Sequence, residues 1–260
     1  MRVSSAIVIA IFAILFLSCS EDKEDVIKEV AYYSDGTDNG YAYVDLGLSV
    51  RWATCNVGAE KPIDCGCYYA WGETSHKSDY NWSAYKYGTD RDKLTKYCND
   101  AAYGDRGFTD DLTVLVPSDD VAKAMMGGRW RTPTDEEFRE LLDGCYWMWT
   151  EGYRGTGVKG FVVFKAKADA DKGKVKCEDS NPVLEAVYSI DDAHIFLPAA
   201  GFRIDCRLTD MEYSGNYASS SMHLDKPFSA WCLNFSSSAL ELLYCYRYYG
   251  QSVRAVCPVE

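Results

Sequence analysis

Residues 213–249 carry six tyrosines and eight serines in 37 positions. Tyrosine offers a large amphipathic ring with only two χ angles to freeze, and serine offers adaptable hydrogen bonds. That is the composition of a recognition surface, and flat aromatic rings also suit sugar stacking. The same composition describes ordinary strands joined by flexible loops. Trp231 adds an apolar anchor to the window. The ligand contacts expected on this basis are Tyr217, Trp231, Tyr244, Tyr246 and Tyr248.

Reactive chemistry finds less support. His76, His194 and His223 are the only histidines. Each stands alone, with no serine or cysteine nucleophile motif beside it, so no catalytic residue is assigned. The pairs Asp110–Asp111, Asp119–Asp120 and Asp191–Asp192 are adjacent in sequence. Adjacent side chains point apart on strands and do not face each other on helices, so these read as solvated charges. The stretches SDGTDN and PSDD are rich in oxygen ligands for a hard cation. Ordinary loops share that composition, and no metal ligand and no cofactor is assigned. No CxxC occurs, and no Cys/His cluster has zinc spacing.

The chain has eleven cysteines. Setting Cys19 aside, one or two disulfides at most are expected, the other thiols serving as small buried hydrophobes. Cys232 and Cys245 lack a recognisable metal-pair context. Arg129, Arg131 and Arg254 are expected to be scaffold residues that stack on rings or pair with buried acceptors.

The N-terminus reads MRVSSAIVIAIFAILFLSCS. Residues 6–17 are an unbroken apolar run behind Arg2, the length of a secretory signal core rather than a membrane span. A small residue before Cys19 resembles a bacterial lipobox, which makes 1–18 the signal and Cys19 the lipidated residue. Acyl chains there would hold the protein to a membrane by CH₂ burial. Five of residues 21–29 are acidic, and 19–40 reads as an acidic flexible tether. The acidic run resembles the export signal of surface-exposed Bacteroidetes lipoproteins, so an outer-membrane, cell-surface location is expected. The net charge of −12 repels phosphate backbones, and nucleic acid is not an expected partner.

The elements that must position the tyrosines follow in order. Residues 41–53 read as two short strands broken at Gly47, and 65–73 as an aromatic strand. Residues 74–112 read as a long surface loop. Ser118 is expected to cap a short helix with Val121, Ala124 and Met125 on one face and Gly127 at its stop. Thr134 and Glu137 form a capping box ahead of the stripe Phe138, Leu141 and Leu142. CYWMWT, KGFVVFKAKA, HIFLPAAGFR, AWCLNF, YRYYG and SVRAVCPV read as strands. Two helices among many short aromatic strands indicate an α+β domain over 41–260.

VDLGLSVRWATCNVGA, YYAWGET, GRWRTPTDEEFREL, IFLPAAGFR and SVRAVCP stand in that order over residues 41–259. Together they resemble the major paralogous domain family known from Fibrobacter and from lipoproteins of gut Bacteroidetes. The resemblance implies a C-type-lectin-like fold, distantly akin to formylglycine-generating enzymes. In that fold the first and last strands pair, two helices flank small mixed sheets, and long loops form one ligand-facing surface. No activity comes with the family. Domains of this fold also serve as variable proteins of diversity-generating retroelements, and 217–249, with Cys232 and Cys245, has that residue mix.

The expected function is therefore a surface lipoprotein, adhesin-like, that binds an extracellular glycan or protein. One alternative is a structural subunit of a surface or fimbrial assembly. Another is an oxidase of the formylglycine-generating type, with bound metal and redox-active thiols.

Overall fold

Asn39 and Gly40 both take positive φ, 47° and 84°. A two-residue Asn-Gly loop of this hand matches the twist of a β-hairpin. It joins β1 (Gly36–Asp38) to β2 (Tyr41–Val44), with Asp38 opposite Tyr41. The computed structural model describes residues 31–259. The signal run, Cys19 and the acidic run lie outside them.

The compact unit begins at Tyr32, so the tether expected over 19–40 is too long at its C-terminal end. Asp35 donates its backbone N–H to Tyr43 O (2.8 Å), and its carboxylate accepts from Asp45 N (2.7 Å). These bonds fold residues 32–40 onto the domain. The Asn-Gly pair carried the signal for this hairpin, inside a stretch whose polarity reads as linker.

The first sheet runs β1-β2-β3-β13, with β3 at Val50–Asn56 and the last strand, β13, at Arg254–Pro258. β3 and β13 pair antiparallel, so the chain's early and late strands close on each other. The second sheet holds β4 (Cys145–Thr150), β5 (Gly160–Lys165), the two-residue β6 (Val175–Lys176) and β7 (His194–Pro198), in the order β6-β4-β5-β7. A small ribbon pairs β8 (Phe202–Ile204) with β9 (Arg207–Thr209). The third sheet is β10 (Ser214–Met222), β11 (Ser229–Ser236) and β12 (Ala239–Tyr246), all antiparallel. The architecture is α+β, built mostly of small antiparallel sheets.

Helix α2 (Asp135–Gly144) forms where the capping box predicts it. Thr134 Oγ1 accepts from Glu137 N (3.2 Å), and Glu137 Oε2 accepts from Thr134 N (2.8 Å). Such a cap is worth about 1 kcal/mol. Phe138 and Leu141 are buried, and Phe138 lies against Trp52 at 5.5 Å. Around them Trp147, Phe161, Leu197, Leu233 and Phe235 complete the main core.

Helix α1 (Val121–Met126) departs from expectation at its start and its face. The residues Pro117–Asp119 form a separate tight turn, so the cap is Asp120 rather than Ser118. Asp120 Oδ1 accepts from Ala122 N (2.9 Å) and from Thr132 Oγ1 (2.7 Å). Val121, Ala122 and Met126 are buried, whereas Ala124 and Met125 face solvent.

Residues 65–73 do not form a strand. They make one bridge, from Tyr69 to Gln251, turn at Trp71 and Gly72, and bury Tyr68, Tyr69 and Trp71. Residues 74–112 have irregular backbone but are not a surface loop. Tyr80, Tyr85, Tyr87, Leu94 and Tyr97 are buried, most of them in a core of their own.

Asp119 ties this segment down. Its carboxylate accepts from Tyr97 OH (2.7 Å) and pairs with Lys96 Nζ (2.5 Å). Burial pushes its pKa up, but the hydrogen bonds from Lys96, Tyr87 and Tyr97 outweigh burial and hold it at about 2. A depressed carboxylate contributes stability above its unfolded pKa and loses it as pH falls through the folded one. The urea midpoint is therefore expected to fall as pH drops from about 4 to about 2. Asp119→Asn, less stable at neutral pH, should show a shallower fall across that window. Parallel slopes for the two proteins would remove Asp119 as a source of acid sensitivity.

All ten cysteines among the described residues are free thiols. Cys98, Cys145, Cys232 and Cys257 are buried; Cys145 and Cys257 pack as small hydrophobes, whereas Cys98 Sγ donates to Asp100 O (3.2 Å). Cys257, beside the closing strand's end, has its thiol pKa pushed up by burial to about 11.

Candidate ligand-binding face

Tyr246 ends β12, and the turn that follows carries Tyr248 and Tyr249. YRYYG is thus mostly turn rather than strand. Two contacts fix its path. Arg247 turns inward and is buried, with its guanidinium 4.6 Å over the Trp71 ring. Gly250 lies flat on Tyr80, and a Cβ there would sit 2.6 Å from the Tyr80 ring, so no larger residue fits. With Arg247 inside, its tyrosine neighbours are turned outward.

The outward rings form a continuous patch. Tyr246 stacks on Tyr248 at 5.4 Å, and Tyr249 meets Tyr248 edge-on at 4.9 Å. Trp82 tilts against Tyr248 at 5.0 Å and meets Tyr246 at 6.2 Å. Phe202 stacks on Tyr249 at 5.3 Å, and Phe228 bridges Tyr246 (5.9 Å) to Tyr103 (5.2 Å). Edge-on and offset geometry at these spacings is the attractive arrangement for aromatic pairs. Burial raises the phenol pKa of Tyr248 and of Tyr249, so both stay neutral donors.

A second group of rings lies along β11 and β12. Trp231 and Tyr244 are directly opposite in the ladder, so their side chains share one face. His223 stacks on Trp231 at 4.8 Å, and the Arg139 guanidinium lies 5.2 Å over the same ring. Lys226 Nζ sits 4.0 Å over Tyr244 and donates to its hydroxyl. Burial lowers the His223 pKa, so the stacked imidazole is neutral near pH 7.

Of the five expected contacts, four fall on this surface. Tyr244 and Tyr246 are 43% and 38% exposed. Trp231 and Tyr248 are half-buried at its edge. Tyr217 does not belong. It sits on β10 opposite Leu233, shares that residue's core-facing side and is fully buried. Its hydroxyl donates to Pro198 O (2.9 Å) and accepts from Asn56 Nδ2 (3.3 Å), and its ring stacks on Phe235.

The serines are corrected in the same sense. Ser219, Ser220, Ser221 and Ser229 are buried. Ser219 Oγ donates to Trp231 O (2.8 Å), and Ser221 Oγ accepts from Asp135 N (3.1 Å). They stitch the scaffold and are not adaptable surface donors.

Trp82, Tyr103, Phe202, Phe228 and Tyr249 were missed by the sequence reading. Only Tyr249 had a local signal, its place in the tyrosine run. Phe228 lies inside the same 213–249 window, and Trp82, Tyr103 and Phe202 come from distant segments that meet it only in the fold.

The thiols of Cys232 and Cys245 meet across β11 and β12; the Cys245 thiol and burial together raise the Cys232 pKa, whereas the interaction with Cys232 lowers that of Cys245 against the effect of burial. The Gln251 side chain lies beside both. Among the described residues, no three His, Cys, Asp or Glu side chains converge as a metal-ligand set. No protein-family model, no curated protein and no solved structure matches the chain.

Proposed function

We propose that this chain is a surface-anchored lipoprotein, held by Cys19, whose C-type-lectin-like domain binds an extracellular glycan or protein. The observation that carries the reading is the ring patch of Trp82, Tyr246, Tyr248 and Tyr249. Its rings are partly exposed, supported from beneath by Arg247 and Tyr80, and contributed by several segments. A rigid aromatic surface loses little entropy on binding and offers faces for stacking. Lys226 and Arg139, set over Tyr244 and Trp231, add donors at one side.

The test is a glycan array and a pull-down from the protein's native surroundings, followed by titration of whichever ligand is captured. Tyr246→Ala and Trp82→Ala should each weaken binding about 30-fold, the hot-spot range. Thermal unfolding should move little, since both rings lie at the surface. Titrations that superpose on the wild type would discard the patch as the binding face.

The open outer edge of β12 supports a second reading, a subunit of a surface assembly. β12 ends its sheet, and such edges recruit strands from other chains. This reading predicts a stable protein partner that co-purifies from membranes, and no affinity for free glycans.

A further inference from the structure

Arg203, on β8, is half-buried and, unlike Arg131, Arg247 and Arg254, does not commit its guanidinium to an acceptor in the fold. Arg131, Arg247 and Arg254 each donate to acceptors within the fold. The Arg203 guanidinium lies 5.3 Å over the Tyr68 ring, and among the described residues it makes no hydrogen bond or ion pair. It borders a cavity of about 340 Å³ with Tyr68, His76, Lys77, Ser78 and Tyr80. No aspartate or glutamate lines that cavity, although the chain's net charge is −12.

The chemistry of the walls is uneven. Lys77 is already committed, to Glu73 (2.8 Å) and to Ala84 O (2.7 Å). His76 and Ser78 are exposed at the rim and have no hydrogen bond or ion pair among the described residues. The tyrosine hydroxyls are turned away: Tyr68 OH donates to Ala200 O (2.5 Å) and Tyr80 OH to Tyr68 O (2.6 Å). The nearly buried tyrosines thus form the floor on which one planar cation without a charged partner is held. A guanidinium held on a ring keeps its N–H fork in one plane, which suits a two-oxygen acceptor.

We propose that this cavity binds the carboxylate of a small ring compound the size of a uronic acid sugar. Arg203 pairs with the carboxylate, and the exposed His76 and Ser78 supply rim hydrogen bonds to the hydroxyls of the ring body. The cavity has the volume of a small-ligand site. The proposal rests on this cavity alone and is independent of the ring patch at Tyr246.

The experiment is calorimetric titration of the purified full-length chain in detergent, at fixed ionic strength. The probes are glucuronate, galacturonate, glucose and inorganic sulfate. At least one uronate should bind at least about tenfold more tightly than glucose or sulfate, as a charged hydrogen-bonded pair allows. Arg203→Gln should lose at least about tenfold in uronate affinity with unchanged thermal unfolding, and Arg203→Lys should recover part of it. The double variant Trp82→Ala/Tyr246→Ala should bind the uronate like the wild type, which separates this site from the patch. The proposal is overturned if neither uronate binds at 10 mM (roughly the weak limit of small-ligand sites), if sulfate or glucose matches the uronates, or if Arg203→Gln binds normally.

Discussion

Arg254→Met is expected to cost about 3–5 kcal/mol of folding stability. Arg254 is fully buried on β13, and every donor it makes crosses to another segment. Nε and Nη2 donate to Asn56 Oδ1 at 3.0 and 2.8 Å. Nη1 donates to Ala53 O (3.2 Å) and Thr54 O (3.0 Å), and Nη2 to Phe196 O (2.9 Å). No carboxylate lies within ion-pair distance of it among the described residues. The charge is met by carbonyl and amide dipoles, and burial lowers its pKa from the ordinary arginine value. One side chain therefore joins β3, β7 and β13, the strands that hold the first two sheets together.

Methionine fills much of the volume but donates nothing. Three main-chain carbonyls and the Asn56 amide oxygen would lose these bonds in a site without solvent, each at a cost of about 1–3 kcal/mol before relaxation. Against a total stability of about 5–15 kcal/mol, the loss is decisive. Arg254→Lys should recover less than half of it, because one ammonium cannot span acceptors on two strands. Urea unfolding followed by circular dichroism measures both, with the m-value held constant as the check on mechanism. A lysine variant as stable as the wild type would mean that charge alone, and not the fork, matters here.

Arg254 also shows what the sequence makes legible. SVRAVCP alternates, and an arginine inside an apolar run reads as scaffold, which its burial bears out. The capping box at Thr134 and Glu137 was readable for the same reason: all its partners lie within four residues. β10 was not readable. SGNYASSSM is polar by composition, yet most of it is buried. Its serines are satisfied by main-chain groups of Pro133, Asp135 and Trp231, which no local window contains. Tyr217 was misplaced by the same blindness, since its core-facing side is set by pairing with Leu233. Tyr244 and Tyr246 do reach the surface, because β12 alternates between exposed and half-buried positions near its end.

Residues 74–112 failed differently. Nothing in their spacing is periodic, so they read as solvent-exposed loop, whereas their tyrosines are inside. What holds them is remote in sequence, and Arg247 is the clearest case. Its Nη1 donates to Lys96 O (3.1 Å), and its Nη2 donates to Tyr97 O. Its guanidinium covers Trp71, which meets Tyr97 edge-on at 4.9 Å. Its carbonyl accepts from Trp71 N (2.8 Å). The segment thus hangs on the turn that presents Tyr246, Tyr248 and Tyr249.

Arg247→Ala should accordingly release this segment without melting the rest. The substitution leaves a cavity against Trp71 and two carbonyls without their donor, about 2–4 kcal/mol in sum. The loss falls mainly on local opening, because α2, β4 and β5 touch none of these groups. Exposed Arg91 and Lys93 then report it as trypsin sites. Their cleavage under native conditions should speed up at least about 30-fold, the lower end of that energy. The main core, followed by Trp147 burial or hydrogen exchange in β4 and β5, should stay closed over the same hours. Ligand binding at the ring patch should weaken as well, because Trp82 travels with the released segment. Cleavage at the wild-type rate would show that the tyrosine core holds 74–112 unaided. Simultaneous exposure of β4 and β5 would show that segment and core unfold as one unit. Either result removes Arg247 as the separate latch between the buried segment and the binding face.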